Sequence, residues 1–320
     1  MLKKYFSKEN ICWIIFAAVI FTLITFLMNV GVIGSYYQIT LYNICINVIL
    51  AVSLNLIIGV CGQFSLGHAG FMCIGAYSAA IVVRSMSNLL GFALGVGIGI
   101  VISTIAALIV SIPTLRLRGD YLAIATLGFS EIIRIIVLNL KITNGAAGLS
   151  GIAKLTTWPL LFVLMVASIV IVTNFSRSRQ GRACISIRED EIASEAMGVN
   201  TTRYKTTAFV IGAALASVAG ALYACNFYVI KPDLFTCNKS IDILVMVVFG
   251  GMGSMTGSVI AAAFIGVLNM LLQNFSSIRM VIYGVVLVAI MIFRPGGLLG
   301  TKEFTFSALL HRKRKEKGRK

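Results

Sequence analysis

Two clusters in this 320-residue chain have the residue types and spacing to do work. The first is a polar island, in which Arg177, Arg179, Arg182, Arg188, Glu189, Asp190, Glu191, Glu195, Arg203 and Lys205 fall between two long apolar stretches. It reads as a short helix over Arg188 to Gly198, with Ile187, Ile192, Ala196 and Met197 as a modest apolar stripe and Glu189, Asp190 and Glu195 around it. A helix of that kind can fill a groove on a soluble domain and carry a rigid-body push. Gly198 permits the left-handed residue that ends it. A solvated connector would share the same composition.

The second cluster is Gly62-Gln-Phe-Ser-Leu-Gly-His-Ala-Gly70, where Gly62, Gly67 and Gly70 interleave with Gln63, Ser65 and His68 inside an apolar run. Three glycines in nine residues break a membrane helix and free backbone donors and acceptors. Such backbone is tolerated where it lines a cavity or is buried in protein. A polar solute needs donors and acceptors along its path, and an opened helix offers both. Close helix packing through the glycines is the competing reading, and in it His68 is a packing residue rather than a proton carrier.

Other chemistries lack their residues. There is no G-x-S-x-G and no H-E-x-x-H, and two histidines, His68 and His311, do not make a His-rich metal site. The seven cysteines form no C-x-x-C pair and read as small buried hydrophobes. Gly250-Gly-Met-Gly-Ser-Met-Thr-Gly-Ser258 imitates a phosphate-binding loop but lacks its lysine. No catalytic residue, metal or cofactor is expected, and an ATPase driving this chain would be a separate polypeptide.

The elements that must position both clusters are membrane helices. Apolar residues make up 58% of the chain and charged residues 12%, and runs near the roughly 20 residues needed to cross hydrocarbon recur along it. The expected architecture is all-α, a polytopic transmembrane bundle with spans near 11–33, 39–60, 67–83, 90–112, 119–140, 157–175, 206–228, 240–253, 256–274 and 278–293. The third and eighth are short or glycine-broken and can be re-entrant, which would lower the count from ten to eight or nine. Residues 1–300 then form the transmembrane domain and 301–320 a basic tail. Three early lysines, Lys3, Lys4 and Lys8, precede an apolar run too long for a cleavable signal core, so the first span reads as an anchor.

Arg116, Arg118, the island and the tail Arg312–Lys320 share one side, while Arg84, Lys141, Lys154, Lys231, Lys239 and Arg279 scatter on the other. The bias makes the first side cytoplasmic, with both termini there. The net charge of +16 then reflects loop retention and contact with anionic lipid, at about 1 kcal/mol per residue, rather than nucleic acid. Glu131 and Arg134, spaced i,i+3, read as a structural pair, Asp120 and Asp242 as residues near span ends. The clusters Gly250–Gly257 and Gly91, Gly95, Gly97, Gly99 read as sites of close helix approach.

The segment Arg188-Glu-Asp-Glu-Ile-Ala-Ser-Glu-Ala-Met-Gly198 and the residues that follow it to Phe209 resemble the coupling loop of bacterial ABC importer permeases, specifically the LivM-type subunits of branched-chain amino acid importers. The general Glu-Ala-Ala pattern before a glycine is changed here to Glu195-Ala196-Met197. Ser53-Leu-Asn through Phe71, Arg116-Leu-Arg through Gly128, and Gly250–Gly257 are similar to the same family in order, so the resemblance covers about residues 40 to 300. It implies a bacterial plasma-membrane permease subunit that pairs with a second homologous permease, sits on two cytoplasmic ATPases and receives substrate from an extracytoplasmic binding protein. Arg188, Glu191, Glu195, Ala196 and Gly198 of the loop at about 176–205 would be the ATPase-coupling residues. Gly62, Gln63, Ser65, Gly67, His68 and Gly70 would lie on the substrate pathway. Urea, short amides and sugars are alternative cargoes within the same class. An ion-coupled secondary transporter and a non-transporting membrane scaffold or enzyme are the rivals outside it.

Overall fold

The computed structural model describes residues 8–31, 34–114 and 119–272, with scattered positions between 281 and 300. Among them the architecture is α1 (Lys8–Asn29), α2 (Ser35–Asn55, continued by a π-helical turn Leu56–Val60), α3 (His68–Ser85), α4 (Leu89–Thr114), α5 (Asp120–Asn139), α6 (Trp158–Arg177), α7 (Arg179–Glu189), α8 (Glu191–Ala196), α9 (Thr201–Ala224), α10 (Cys237–Gly250) and α11 (Met255–Leu271). The one sheet among the described residues is a two-stranded clasp, β1 (Leu149–Ser150) antiparallel to β2 (Val229–Ile230). Most of the expected span at 278–293, together with Arg116, Arg118, Arg279 and the tail 301–320, lies outside the described residues.

Five described helices are long and apolar enough to cross a membrane: Ser35–Val60, Leu89–Thr114, Asp120–Asn139, Trp158–Arg177 and Thr201–Ala224. Ala17–Asn29 and Met255–Leu271 are shorter apolar helices. The chain is a multi-pass, all-α membrane protein.

Its centre is α2. Every residue from Cys45 to Cys61 is buried, so this helix is apolar all round because protein surrounds it. Beside it α3, α4 and α9 pack through small residues. A Cβ on Gly75 would strike the backbone of Ser217, one on Gly220 the carbonyl of Met72, and Gly99 lies against Ser217 and Gly75. Ser103 adds a hydrogen bond from Oγ to Ala213 O at 2.9 Å. Lipid tails are as apolar as leucine, so such close approach is what favours helix on helix over helix on lipid. Gly91 and Gly95 of the α4 glycine row are also closely packed, whereas Gly97 faces open space. The outward face of α4 carries an exposed stripe of Leu94, Ile98, Val101, Ile105 and Ile109.

On the other flank α1 meets α6 through aromatic side chains. Phe21 stands 5.2 Å from Phe162 and 6.3 Å from Trp158 between ring centroids, and Trp158 Nε1 donates to Thr25 Oγ1 at 3.1 Å.

Two boundaries differ from those read in the sequence. The helix expected at 206–228 is α9, which begins at Thr201: Asn200 is extended and its side chain accepts from Arg203 N, an N-cap that draws Arg203 and Lys205 into the helix. The single helix expected over Arg188–Gly198 is two. Asp190 is extended (φ −155°, ψ 110°), ends α7 and caps α8 by accepting from Ala193 N at 3.0 Å. A short acidic side chain competes for backbone donors, which is why the break falls there. Gly198 does end α8, at φ +84°. Five of the cysteines are buried thiols and Cys237 is half-buried, as expected of small apolar residues.

Candidate functional site

At the end of the bundle that carries α7 and α8, three separate stretches converge: the end of α2, the turn between α10 and α11, and the last turn of α7. Asn55, fully buried, staples the first two. Its Nδ2 donates to Ser254 O at 2.9 Å and its Oδ1 accepts from Gly253 N at 2.9 Å. Gly59 makes this approach possible, because a Cβ there would overlap both Asn55 Oδ1 and Gly253 N. Gly253 itself sits at φ +97°, a conformation that suits glycine.

Arg188 connects α7 to the same point. Its Nη1 donates to Gly59 O at 2.6 Å, and its Nε and Nη2 bind Glu189 Oε1 at 3.1 and 2.5 Å. Its aliphatic stem covers Gly62, at φ +70°, where a Cβ would collide with it. A cavity of about 220 Å³ beside this junction is lined by Gly59, Ser176, Arg177, Ile185, Arg188 and Gly253 among others. Cys61 and Cys184 also meet here, and the hydrogen bond from the Cys61 thiol holds the Cys184 pKa below its ordinary value.

α8 is tied separately. Glu191 pairs with Lys205 of α9 at 2.6 Å, and Ser194 Oγ bonds Ser186 Oγ at 3.2 Å. The five residues expected to act together at this loop therefore divide. The side chains of Arg188 (28% exposed) and Glu191 (30% exposed) turn inward onto the bundle, while Glu195, Ala196 and Gly198 are exposed. Beside the latter stand Ile192, 69% exposed, and Met197, 84% exposed. Two large apolar side chains thus project from an otherwise polar helix pair.

The second cluster is a non-helical segment between two helices. After Cys61 the chain leaves the helix, runs through residues 62–67 without helical structure, and starts α3 at His68. His68 is buried deep in the bundle, and its Nε2 lies 2.7 Å from Ser53 Oγ. Ser53 Oγ also lies 2.9 Å from Leu50 O, and Nδ1 has no hydrogen-bond partner among the described residues. The segment is pinned on its far side: Leu66 N donates to Thr126 Oγ1 at 3.0 Å and Ala69 N to Ser240 Oγ at 3.1 Å, and Gly67 and Gly70 lie against Thr126 and Ser130 of α5. Ser65 is buried among these groups. Gln63, 2% exposed, has no hydrogen-bond partner for either amide atom among the described residues, and Ser130 Oγ has none there. The glycines therefore do pack closely, and the same segment holds unpaired polar groups inside the protein.

Glu131 and Arg134 pair at 2.7 Å as expected, and Arg134 also lies 3.8 Å from Asp233. Sequence reading missed Asn55, Thr126 and Ser240. A polar residue within an apolar span was the signal available for each, since membrane interiors keep such residues only where they find partners.

Residues 36–293 match a family model described as the branched-chain amino acid transport system permease component. The chain is 37% identical over 289 residues to the high-affinity branched-chain amino acid transport system permease protein LivM of Salmonella typhimurium, covering 79% of this chain and 68% of that protein. LivM of Escherichia coli matches with the same identity and coverage. LivH of Escherichia coli is 32% identical over 148 residues, covering 46% of this chain and 47% of that one.

Proposed function

The chain belongs to the branched-chain amino acid transport permease family, and from that premise we propose that it is the membrane-spanning subunit of an ABC importer for branched-chain or similar hydrophobic amino acids. It works in the bacterial plasma membrane with both termini cytoplasmic, beside a second homologous permease. Two cytoplasmic ATPases drive it and an extracytoplasmic binding protein feeds it. Hydrolysis belongs to the ATPases, and this subunit is not an enzyme.

The division of labour between α7 and α8 supports this reading most directly. Exposed Ile192, Glu195, Ala196 and Met197 form the docking face for an ATPase groove. Arg188 and Glu191 hold the helix pair to α2 and α9, so a displacement of the docking face is delivered to the Asn55 and Gly59 junction rather than lost in a loose loop. The segment Gly62–Gly70 starts at that junction, and its unpaired Gln63 and His68 polar atoms supply substrate-pathway contacts when the spans part. Closing of the ATPases on ATP would move α7 and α8 and swing the spans from inward-open to outward-open.

Glu195→Lys tests the docking claim. The variant is expected to accumulate in the membrane at the level of the unaltered chain and to lose ATP-driven uptake in proteoliposomes holding the complete transporter. Uptake at the unaltered rate would remove α8 as the docking element.

A further inference from the structure

Four apolar helices end around the cavity beside the Gly59 junction. The spans Ser35–Val60 and Trp158–Arg177 finish there, and α10 and α11 meet there in the turn that carries Gly253. Val60, Ser176, Arg177, Gly253 and Met255 accordingly all line its volume of about 220 Å³. The cavity therefore stands where these apolar runs stop, at the level of lipid headgroups. Two of its lining residues, Arg177 and Ile185, are exposed, so it opens to the outside.

Its charge is of one sign. Arg177 and Arg188 line it, and no carboxylate does. Arg182 adds a third guanidinium at the end of α6, where its Nη1 donates to Arg177 O at 3.1 Å. Glu189 takes one edge of Arg188 from outside the lining, and with the bond to Gly59 three of the five N–H donors of that guanidinium are used. Glycine at 253 leaves it room, since a Cβ there would lie 3.0 Å from Arg188 Nη1. Guanidinium groups gathered at one cavity reinforce one another's potential and draw an anion, and their planar forks suit phosphate. About 10–15 Å³ is enough to admit one water, so this space takes a phosphate with further atoms attached. The remaining wall is apolar, formed by Val60, Met255 and Ile185, and Ile185 is 37% exposed on a helix whose surface is otherwise polar. A free inorganic anion gains nothing from such a wall, whereas the glycerol beneath a lipid phosphate does.

We propose that this cavity binds the phosphodiester headgroup of an anionic phospholipid, with Arg177 and Arg188 as its phosphate ligands. Basic pockets between membrane helices take such headgroups. Bound there, the lipid ties the end of α6 to the end of α7. A lipid requirement for transport follows from that tie, and this consequence alone rests on the coupling role proposed above for α7.

The complete transporter, stripped of lipid in detergent, is titrated with phosphatidylglycerol and separately with zwitterionic phosphatidylcholine, and bound lipid is counted by native mass spectrometry. Phosphatidylglycerol is expected to bind at least about fivefold more tightly, and Arg177→Gln to remove about that factor, as for one basic residue beside anionic lipid. Arg177→Lys, which keeps the charge, is expected to stay within about threefold. Arg84→Gln, in the last turn of α3 and outside the lining, is expected to change nothing. Equal affinity of the unaltered complex for the two lipids, or equal losses in Arg177→Gln and Arg84→Gln, overturns the site. Displacement of phosphatidylglycerol by millimolar inorganic phosphate also overturns it, by making the occupant a free anion. An Arg177→Gln complex that sheds its ATPase subunits while holding phosphatidylglycerol as before assigns the cavity to an acidic ATPase side chain instead. The count needs no transport, so lipid binding without leucine uptake by the unaltered transporter would sink the importer reading and leave the site standing.

Discussion

Removing the Arg188 guanidinium should uncouple ATP hydrolysis from transport by a calculable amount. In Arg188→Ala the 2.6 Å bond to Gly59 O and the cover over Gly62 are both lost. A hydrogen bond from a charged donor contributes about 1.5–3 kcal/mol net. The side chain is 28% exposed, so water partly replaces it and the lower end applies, about 1.5 kcal/mol. That is close to the about 1.4 kcal/mol that corresponds to a factor of ten. Glu189 loses its partner at small cost because it is exposed. If the bond is what keeps α7 moving with the end of α2, the variant should retain ATP hydrolysis and deliver about tenfold less amino acid per ATP. Arg188→Lys should fall between the two, since an ammonium restores charge but not the fork that reaches Gly59 and Glu189 together. Phosphate release and labelled uptake measured on the same proteoliposomes give the ratio. An Arg188→Ala ratio equal to that of the unaltered chain would refute the mechanical role of this contact.

Two further outcomes follow from packing. Asn55→Leu keeps the volume but leaves the half-buried Gly253 N–H without Asn55, while Ser254 C=O keeps Ser258, so thermal unfolding in detergent should shift down by an amount corresponding to about 1–3 kcal/mol for the one unpaired group. An unchanged melting temperature would show that the junction does not depend on the staple. Gly75→Val forces side-chain atoms into the Ser217 backbone, whereas Gly97→Ala points into open space; the first should fail to accumulate as a monodisperse protein on size exclusion and the second should behave as unaltered. Equal yields from both would contradict small-residue packing of α3 on α9.

The spans were legible because membrane helices are specified locally. A run of apolar residues must close its own backbone hydrogen bonds wherever it lies, so the five long helices start and end within a few residues of the boundaries read from hydropathy, and the exception, α9, was shifted by Asn200, a cap visible only as an ordinary polar residue. The glycine break at 62–70 and the stop at Gly198 were legible for the same reason, since left-handed backbone is a property of one residue. The split of the island at Asp190 depended on a choice between helix interior and cap that composition alone does not make.

The sequence by itself determined a polytopic helical membrane protein, its family, and the two clusters proposed to carry its work, because solvent preference and local backbone geometry are written residue by residue. Only the tertiary structure decided that Arg188 turns in toward Gly59 while Glu195 stays outside, that Asn55 joins α2 to the turn before α11, and that Lys239 stands beside Asn47. Those partners are 129, 198 and 192 residues apart. Which distant group a polar side chain meets is set by how whole helices pack, and no local pattern carries that information.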